Sequence, residues 1–272
     1  MPKCLPDQPC LMIAVDLDGT LLRSDRQLDP ADVAALREAA DRGAQVIVTT
    51  ARPPRSTRGI YEQLRLNTPT INYNGAVVFD PRTGTALDHL PLAAQTAQAI
   101  VAEARALAPE ILVHIEVLDT LHTDRLDEAF STETSRHFAP DHLGPLDQVL
   151  ASAVTKVMLL GEEAALARVA GMLRQKFAGR AAFAMSDNHL LQIMNPTVDK
   201  AAALARLAKQ MGIAQAQVLA IGDAPNDIGM LQWAGMGVAV GNAWPEVRAI
   251  ADAVGPSNDE RGVAWAVRKF AL

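Results

Sequence analysis

Leu11-Met12-Ile13-Ala14-Val15-Asp16-Leu17-Asp18-Gly19-Thr20-Leu21-Leu22 is the stretch whose reading decides the fold. Its apolar run, Leu11 to Val15, is short and continuous, the pattern of a strand buried on both faces of a parallel sheet. The run ends in two aspartates. Side chains at i and i+2 of a strand point the same way, so Asp16 and Asp18 can share one face at its C-terminal end. Two adjacent carboxylates repel, and the pair asks for a metal, a protonated partner, or both.

Strands and helices alternate on the C-terminal side of this stretch. Asp29-Pro30 opens a helix, with Asp29 as N-cap, Pro30 in the first helical position and Asp32 in the first turn. Val33, Leu36 and Ala40 keep helical spacing, and Gly43 closes the helix. Gln45 to Thr49 reads as a second buried strand ending at Thr50-Ala51-Arg52; Pro53-Pro54 starts another helix, and Thr70 to Tyr73 reads as a third strand. The pattern changes near Asn74. Residues 76–79 and 85–90 suggest a hairpin, 93–107 a helix, 111–117 and 154–160 strands, 162–177 a helix, and 181–185 with 189–194 a second hairpin. Parallel grammar returns with a helix from Lys200, a strand Val218–Ile221 leading into Gly222-Asp223, a helix from Asn226 and a strand Gly237–Val240. The expected fold class is α/β, a doubly wound, mainly parallel sheet with an inserted α+β domain. The core is expected over 1–80 and 195–272 and the insertion over 81–194, with hinges near 80–84 and 194–198, where Pro81, Gly84 and Pro196 punctuate the chain.

Composition limits what such a protein can do. Hydrophobic residues make up 49% of the 272 and aromatics only 4%, so the core must be built from Ala, Leu, Val and Ile. A net charge of −6 argues against nucleic-acid backbones as partners and favours a small anion held by a local site. Cys4 and Cys10, both ahead of the first strand, read as free thiols of a reducing compartment. No stretch is long enough to span a bilayer, and the start lacks a signal-peptide core, so a cytoplasmic location is expected.

Four strand ends carry polar clusters: Asp16/Asp18, Thr50/Arg52, Asn72/Asn74 and Asp223/Asn226/Asp227. Ligands of open α/β sheets bind beyond the carboxyl ends of the strands, so neighbouring strands would gather these clusters in one crevice with Lys200 beside it. In this order the motifs resemble those of the haloacid dehalogenase superfamily, in particular the Cof-type, subclass IIB phosphatases with a large mid-chain cap. They are Asp16-Leu17-Asp18-Gly19-Thr20, the strand-ending Thr50, the helix-opening Lys200, and Gly222-Asp223-Ala224-Pro225-Asn226-Asp227. Asn74-Gly75-Ala76, Gly241-Asn242-Ala243 and Ser257 to Val263 match the subgroup as well.

The resemblance implies a set of roles. Asp16 would be the nucleophile that forms an aspartyl-phosphate, and Asp18 the general acid and then base. Thr50 and Lys200 would hold phosphoryl oxygens, and Thr50, Ala51, Arg52, Asn74, Lys200 and Asn226 would bind substrate. Mg²⁺ would be held by Asp16, the Asp18 carbonyl and Asp223, with Asn226 and Asp227 in support. Attack of one anion on another needs charge neutralisation, which Mg²⁺ and an ammonium supply. The implied substrate is a small phosphorylated metabolite: a sugar phosphate, or a cofactor phosphate such as pyridoxal phosphate or FMN. The rival functions are a phosphomannomutase-like phosphotransferase and a non-catalytic phospho-aspartate module. Asp18 argues against the module, because an acid/base carboxylate speeds hydrolysis.

Two motifs depart from the family pattern. Ala51 stands where glycine is usual, and its methyl would crowd the phosphate or alter the turn. Ala224-Pro225 replaces a glycine-containing pair, which suits a helix start. Bland readings apply elsewhere. Asp227 also suits helix capping, and Arg52 either pairs with an acid or lines the substrate entrance. His114, Glu116, Asp119, His122 and Asp124 read as a solvated surface rather than a metal cluster. Trp233, Trp244 and Trp265 read as core or core-edge residues.

Overall fold

The computed structural model describes residues 9–127, 129–132 and 136–272. Cys4 therefore lies outside the described residues, while the Cys10 thiol donates to Met12 O at 3.3 Å. The chain divides into two compact units, one running to Leu87 and resuming over Asp199–Leu272, the other Asp88–Val198.

In chain order the first unit begins β1 (Met12–Val15), α1 (Pro30–Asp41), β2 (Gln45–Val48), α2 (Pro54–Leu64), β3 (Thr70–Asn72), β4 (Val77–Asp80) and β5 (Thr85–His89), whose last two residues are counted with the second unit. The second unit follows with α3 (Ala94–Leu107), β6 (Leu112–Val117), β7 (Thr120–Thr123), β8 (His142–Leu143), α4 (Asp147–Leu150), β9 (Lys156–Leu160), α5 (Glu163–Lys176), β10 (Ala182–Asp187) and β11 (Leu190–Met194). The chain then returns to the first unit through α6 (Lys200–Gln210), β12 (Val218–Gly222), α7 (Ile228–Trp233), β13 (Met236–Ala239), α8 (Pro245–Ile250), β14 (Ala253–Val254) and α9 (Gly262–Phe270).

The first unit holds a five-stranded sheet in the order β14-β13-β12-β1-β2, with every pair parallel. Alternation along its strands explains their unbroken apolar sequences. Ile13, Val15, Val46, Val48, Leu219 and Ile221 face one layer, packed on Leu36 of α1 and Val263 and Val267 of α9. Met12, Ala14, Ile47, Val218 and Ala220 face the other, packed on Leu204 and Leu207 of α6 and Met230 of α7. A strand covered on both sides has no polar face to show. The connection reverses between β1 and β12, so the crevice beyond their carboxyl ends is a topological switch point. β3, β4 and β5 form a separate three-stranded sheet, tied to β2 by a parallel bridge between Thr49 and Ile71.

Asp32 is more than a first-turn acid. It is fully buried, and its Oδ1 accepts the backbone N–H of Ala264 at 2.7 Å, capping α9 from the side of α1. Its Oδ2 has no hydrogen-bond partner among the described residues. Burial, set against the Ala264 hydrogen bond and aggravated by Asp29, pushes this carboxyl up to about 6. A carboxyl whose folded value is raised contributes its stability below the unfolded value and loses it as pH rises through the folded one. Asp32→Asn keeps an acceptor for Ala264 and removes the buried charge. It is expected to raise stability at pH 7.5 by on the order of 1–2 kcal/mol and to change little at pH 4. Urea midpoints at the two pH values check this; equal gains at both would refute the buried-charge account.

The second unit is a six-stranded sheet in the order β10-β11-β9-β6-β7-β8, antiparallel except for β7 with β8. Its main core packs Val113, Ile115, Val157, Leu159, Leu191 and Ile193 against Ile100 of α3 and Leu166 of α5. The other face corrects the solvated-surface expectation: His114 is 1% and Glu116 0% exposed. Register places Glu116 opposite Lys156, whose Nζ lies 2.7 Å from Glu116 Oε2. A cross-strand partner 40 residues away is invisible to local pattern, so an ion-paired buried acid reads as a wet one. Trp244 is also corrected, being 55% exposed, whereas Trp233 and Trp265 pack against the cores of the first unit.

Candidate active site

Three neighbouring strands end at one edge of the first unit's sheet, each handing a polar residue to the crevice: Asp16 after β1, Thr50 just past β2 and Asp223 after β12. Lys200 opens α6 and is fully buried, with Nζ 2.6 Å from Asp16 Oδ1 and 2.7 Å from Asp227 Oδ1. Asp227 spends its other oxygen on the backbone N–H groups of Asp223 (3.0 Å) and Ala224 (3.1 Å). It thus caps the short helix begun by Pro225 and orients Lys200 at once. Asp223 Oδ1 accepts the Thr20 hydroxyl at 2.6 Å. Gly19 has φ +79°, and a Cβ there would lie 2.5 Å from Asp223 Oδ2, so the turn after Asp18 fits only glycine.

Asp18 is exposed and leaves the buried group. Arg52 holds it in a two-pronged pair, Nε to Oδ2 at 2.8 Å and Nη2 to Oδ1. Of the two sequence alternatives for Arg52, pairing with an acid is the one the geometry displays. Thr50 is buried and its hydroxyl accepts the Arg52 N–H at 3.1 Å, closing a small turn. Ala51 in that turn is not among the positive-φ residues, so its methyl strains no backbone there. Asn226 donates its amide to Asn74 Oδ1 at 2.9 Å.

Electrostatics separates these groups. Burial is the largest influence on Asp16 and raises its carboxyl well above the ordinary range; Lys200 opposes this while Asp227 and Asp223 add to it. Asp223 is pushed up to about 6 by burial, against the Thr20 hydrogen bond. Burial alone would lower Lys200, but Asp16 and Asp227 override it and hold the ammonium charged. Lys200 pairs directly with two of the three buried carboxylates, Asp16 and Asp227, and ligand atoms of Asp16, Asp223 and Asp227 lie within 4.8 Å of one another. An all-oxygen cluster with surplus negative charge suits a hard divalent cation.

Two residues to which sequence reasoning gave no role hold the Asp16–Leu22 loop from outside. Asn242 donates its amide to Gly19 O at 2.7 Å and accepts Asn258 N–H at 2.9 Å; Asn258 donates its amide to Leu22 O at 2.9 Å. Asn258 is buried, unusual for an asparagine, but only the fold shows what it grips.

The haloacid dehalogenase-like hydrolase family matches the chain over residues 13–267. The chain is 30% identical over 276 residues to 5-amino-6-(5-phospho-D-ribitylamino)uracil phosphatase YitU of Bacillus subtilis, covering 95% of this chain and 97% of that one. It is also 30% identical over 250 residues to the HMP-PP phosphatase of Serratia proteamaculans, covering 88% and 86%. A crystal structure of a haloacid dehalogenase-like hydrolase from Bacteroides thetaiotaomicron superposes with a TM-score of 0.85 at 25% identity, covering 95% and 98%. The chain belongs to the haloacid dehalogenase-like hydrolase family, as one of its phosphatases.

Proposed function

We propose that the chain is a Mg²⁺-dependent, cytoplasmic phosphatase of a small phosphomonoester, a sugar or cofactor phosphate, working through an aspartyl-phosphate on Asp16. The observation that carries this reading is the buried Asp16–Lys200–Asp227 arrangement, set beside an exposed Asp18. Lys200 occupies Asp16 Oδ1 and fixes the carboxylate, leaving Oδ2 to attack phosphorus. The P–O bond to the leaving alcohol breaks as Asp18 delivers a proton to that oxygen. Water then attacks the phosphorus of the aspartyl-phosphate, Asp18 takes its proton, and Asp16 is restored with release of phosphate. Lys200 and the Thr50–Arg52 turn stabilise the phosphoryl oxygens as charge shifts among them. Arg52 must loosen its grip for Asp18 to carry the proton.

Asp16, the Asp18 backbone carbonyl and Asp223 are the residues proposed to hold Mg²⁺. Asp227, both of whose oxygens already have partners, supports from behind together with Asn226. Bound there, the ion supplies positive charge to the phosphoryl oxygens.

The substrate class is supported by the Bacillus relative, named for a phosphorylated ribitylamino-uracil. In the same reading the inserted unit carries the choice of leaving group. Among the described residues no helix is long and apolar enough to cross a membrane, which agrees with the proposed location. Phosphate release from an aryl phosphate is expected with Mg²⁺ and to fall at least about a hundredfold after chelation. A panel containing a phosphorylated ribitylamino-pyrimidine, hexose phosphates, pyridoxal phosphate and FMN then ranks substrates by kcat/KM. Release that ignores the chelator would sink the metal-dependent reading.

A further inference from the structure

Asn72-Tyr73-Asn74-Gly75 connects β3 to β4 through three consecutive left-handed residues: Tyr73 at φ 51°, Asn74 at φ 56° and Gly75 at φ 100°. Glycine adopts this conformation freely and asparagine tolerates it, but a bulky aromatic residue does so only when its surroundings impose it. Tyr73 is fully buried. A strained, buried turn persists only where the structure over-determines it, and here the constraints lead to three separate site loops.

The first is the Thr50–Arg52 turn. Thr50 N–H donates to Ile71 O at 2.8 Å, Asn74 N–H to Thr50 O at 2.9 Å, and Tyr73 N–H and the Asn72 amide to Arg52 O at 3.2 and 3.1 Å. The second is the loop after β12, gripped where Asn226 donates to Asn74 Oδ1. The third is the start of α6. A Cβ on Gly75 would lie 2.4 Å from the carbonyl oxygen of Asp199, the N-cap immediately before Lys200. Asp199 in turn accepts the Ala202 N–H at 2.8 Å. One four-residue turn thus touches the loops that carry Thr50 and Arg52, Asn226, and Lys200.

We infer that this turn is the positioning element of the site, and that Asn74 acts through Asn226 and the Thr50–Arg52 turn rather than by touching substrate. The inference deepens the phosphatase reading and rests on it for its kinetic test. The turn holds one loop by backbone hydrogen bonds, a second through the Asn226–Asn74 amide pair and a third by the close approach of Gly75 to Asp199, so its left-handed backbone sets the spacing of all three. Reactions that depend on placing charge need that accuracy.

Four proteins test it beside the wild type: Asn74→Gly, Asn74→Ala, Asn226→Ala and the double variant Asn74→Gly/Asn226→Ala. Glycine keeps the left-handed backbone and removes only the carboxamide; alanine also penalises the backbone. With an aryl phosphate and saturating Mg²⁺, Asn74→Gly and Asn226→Ala are each expected to lower kcat about tenfold with KM little changed. The double variant should be no worse than either single one, because both remove the same hydrogen bond. Asn74→Ala should fall about a further fivefold. Amide exchange supplies the readout independent of activity. In Asn74→Ala the segments 50–52 and 223–227 should exchange faster, while Met236–Ala239 keeps its wild-type protection. Effects of Asn74→Gly and Asn226→Ala that multiply would make Asn74 an independent contact and overturn the inference. So would an Asn74→Ala indistinguishable from Asn74→Gly, or exchange in both segments left at the wild-type rate. A wild type that releases no phosphate would instead overturn the phosphatase reading, while the exchange pattern still decides the role of the turn.

Discussion

Asp16→Asn is expected to lower phosphate release by about a thousandfold or more while leaving the fold intact. The amide keeps the shape of the side chain but has no anionic oxygen to attack phosphorus. Stability should move the other way. Burial raises the Asp16 carboxyl above its ordinary value, so its ionised form costs stability that is lost as pH rises through the raised value. Lys200 keeps Asp227 as a partner at 2.7 Å, so the variant does not strand the ammonium. Without added metal, Tm at pH 7.5 should rise by about 2–4 °C, and less at pH 4.5. Phosphate release and thermal scans on the same preparations decide it. Residual turnover above about one part in a hundred, in protein shown free of reversion to aspartate, would remove Asp16 as the nucleophile.

Lys200→Met is expected to be the most damaging single change to stability and activity together. Its ammonium is the cation shared by Asp16 and Asp227 in the buried group, and removing one member of a buried ion pair costs roughly 3–5 kcal/mol. The carboxylates left behind repel one another, which raises Asp16 further. The acid limb of the kcat/KM profile should therefore move to higher pH, on top of a loss of about a hundredfold or more in kcat. Because folded carboxyl values are raised, the stability deficit should be larger at pH 8 than at pH 5, where protons neutralise the cluster. Mg²⁺ should raise the Tm of the variant more than that of the wild type, since the ion replaces a missing positive charge. A variant whose Tm falls equally at both pH values and gains nothing extra from Mg²⁺ would show Lys200 to be a packing residue. Lys200→Arg should not restore turnover, because a planar guanidinium does not fit the ammonium's place between two carboxylates.

Much of the first unit was legible because its signals are local. The apolar runs of β1, β2 and β12 each stop at a polar residue, and Asp29-Pro30 and Lys200 stand at helix starts as their chemistry requires. The insertion was less legible. β7, β8 and α4 lie where the sequence is polar and poorly periodic, and they are two to four residues long, too short for a period to register. Glu116 looked solvated because its burial depends on Lys156 arriving from another strand. Trp244 looked like core because its side chain is large and apolar, yet it stands at the N-cap before α8 with its side chain exposed.

The sequence by itself determined the alternation of strand and helix, the return to parallel grammar after the insertion, and which polar residues stand at strand ends. Those features follow from side-chain period, caps and turn chemistry within a few residues. Only the tertiary structure decided how these residues are paired. Lys200 meets Asp16 across 184 positions and Asp227 across 27, Arg52 takes Asp18 rather than Asp16, and Tyr73 accepts a left-handed backbone. Such choices are made by strand order and by the burial that raises the cost of an unpaired charge, and neither is a property of any short stretch of chain.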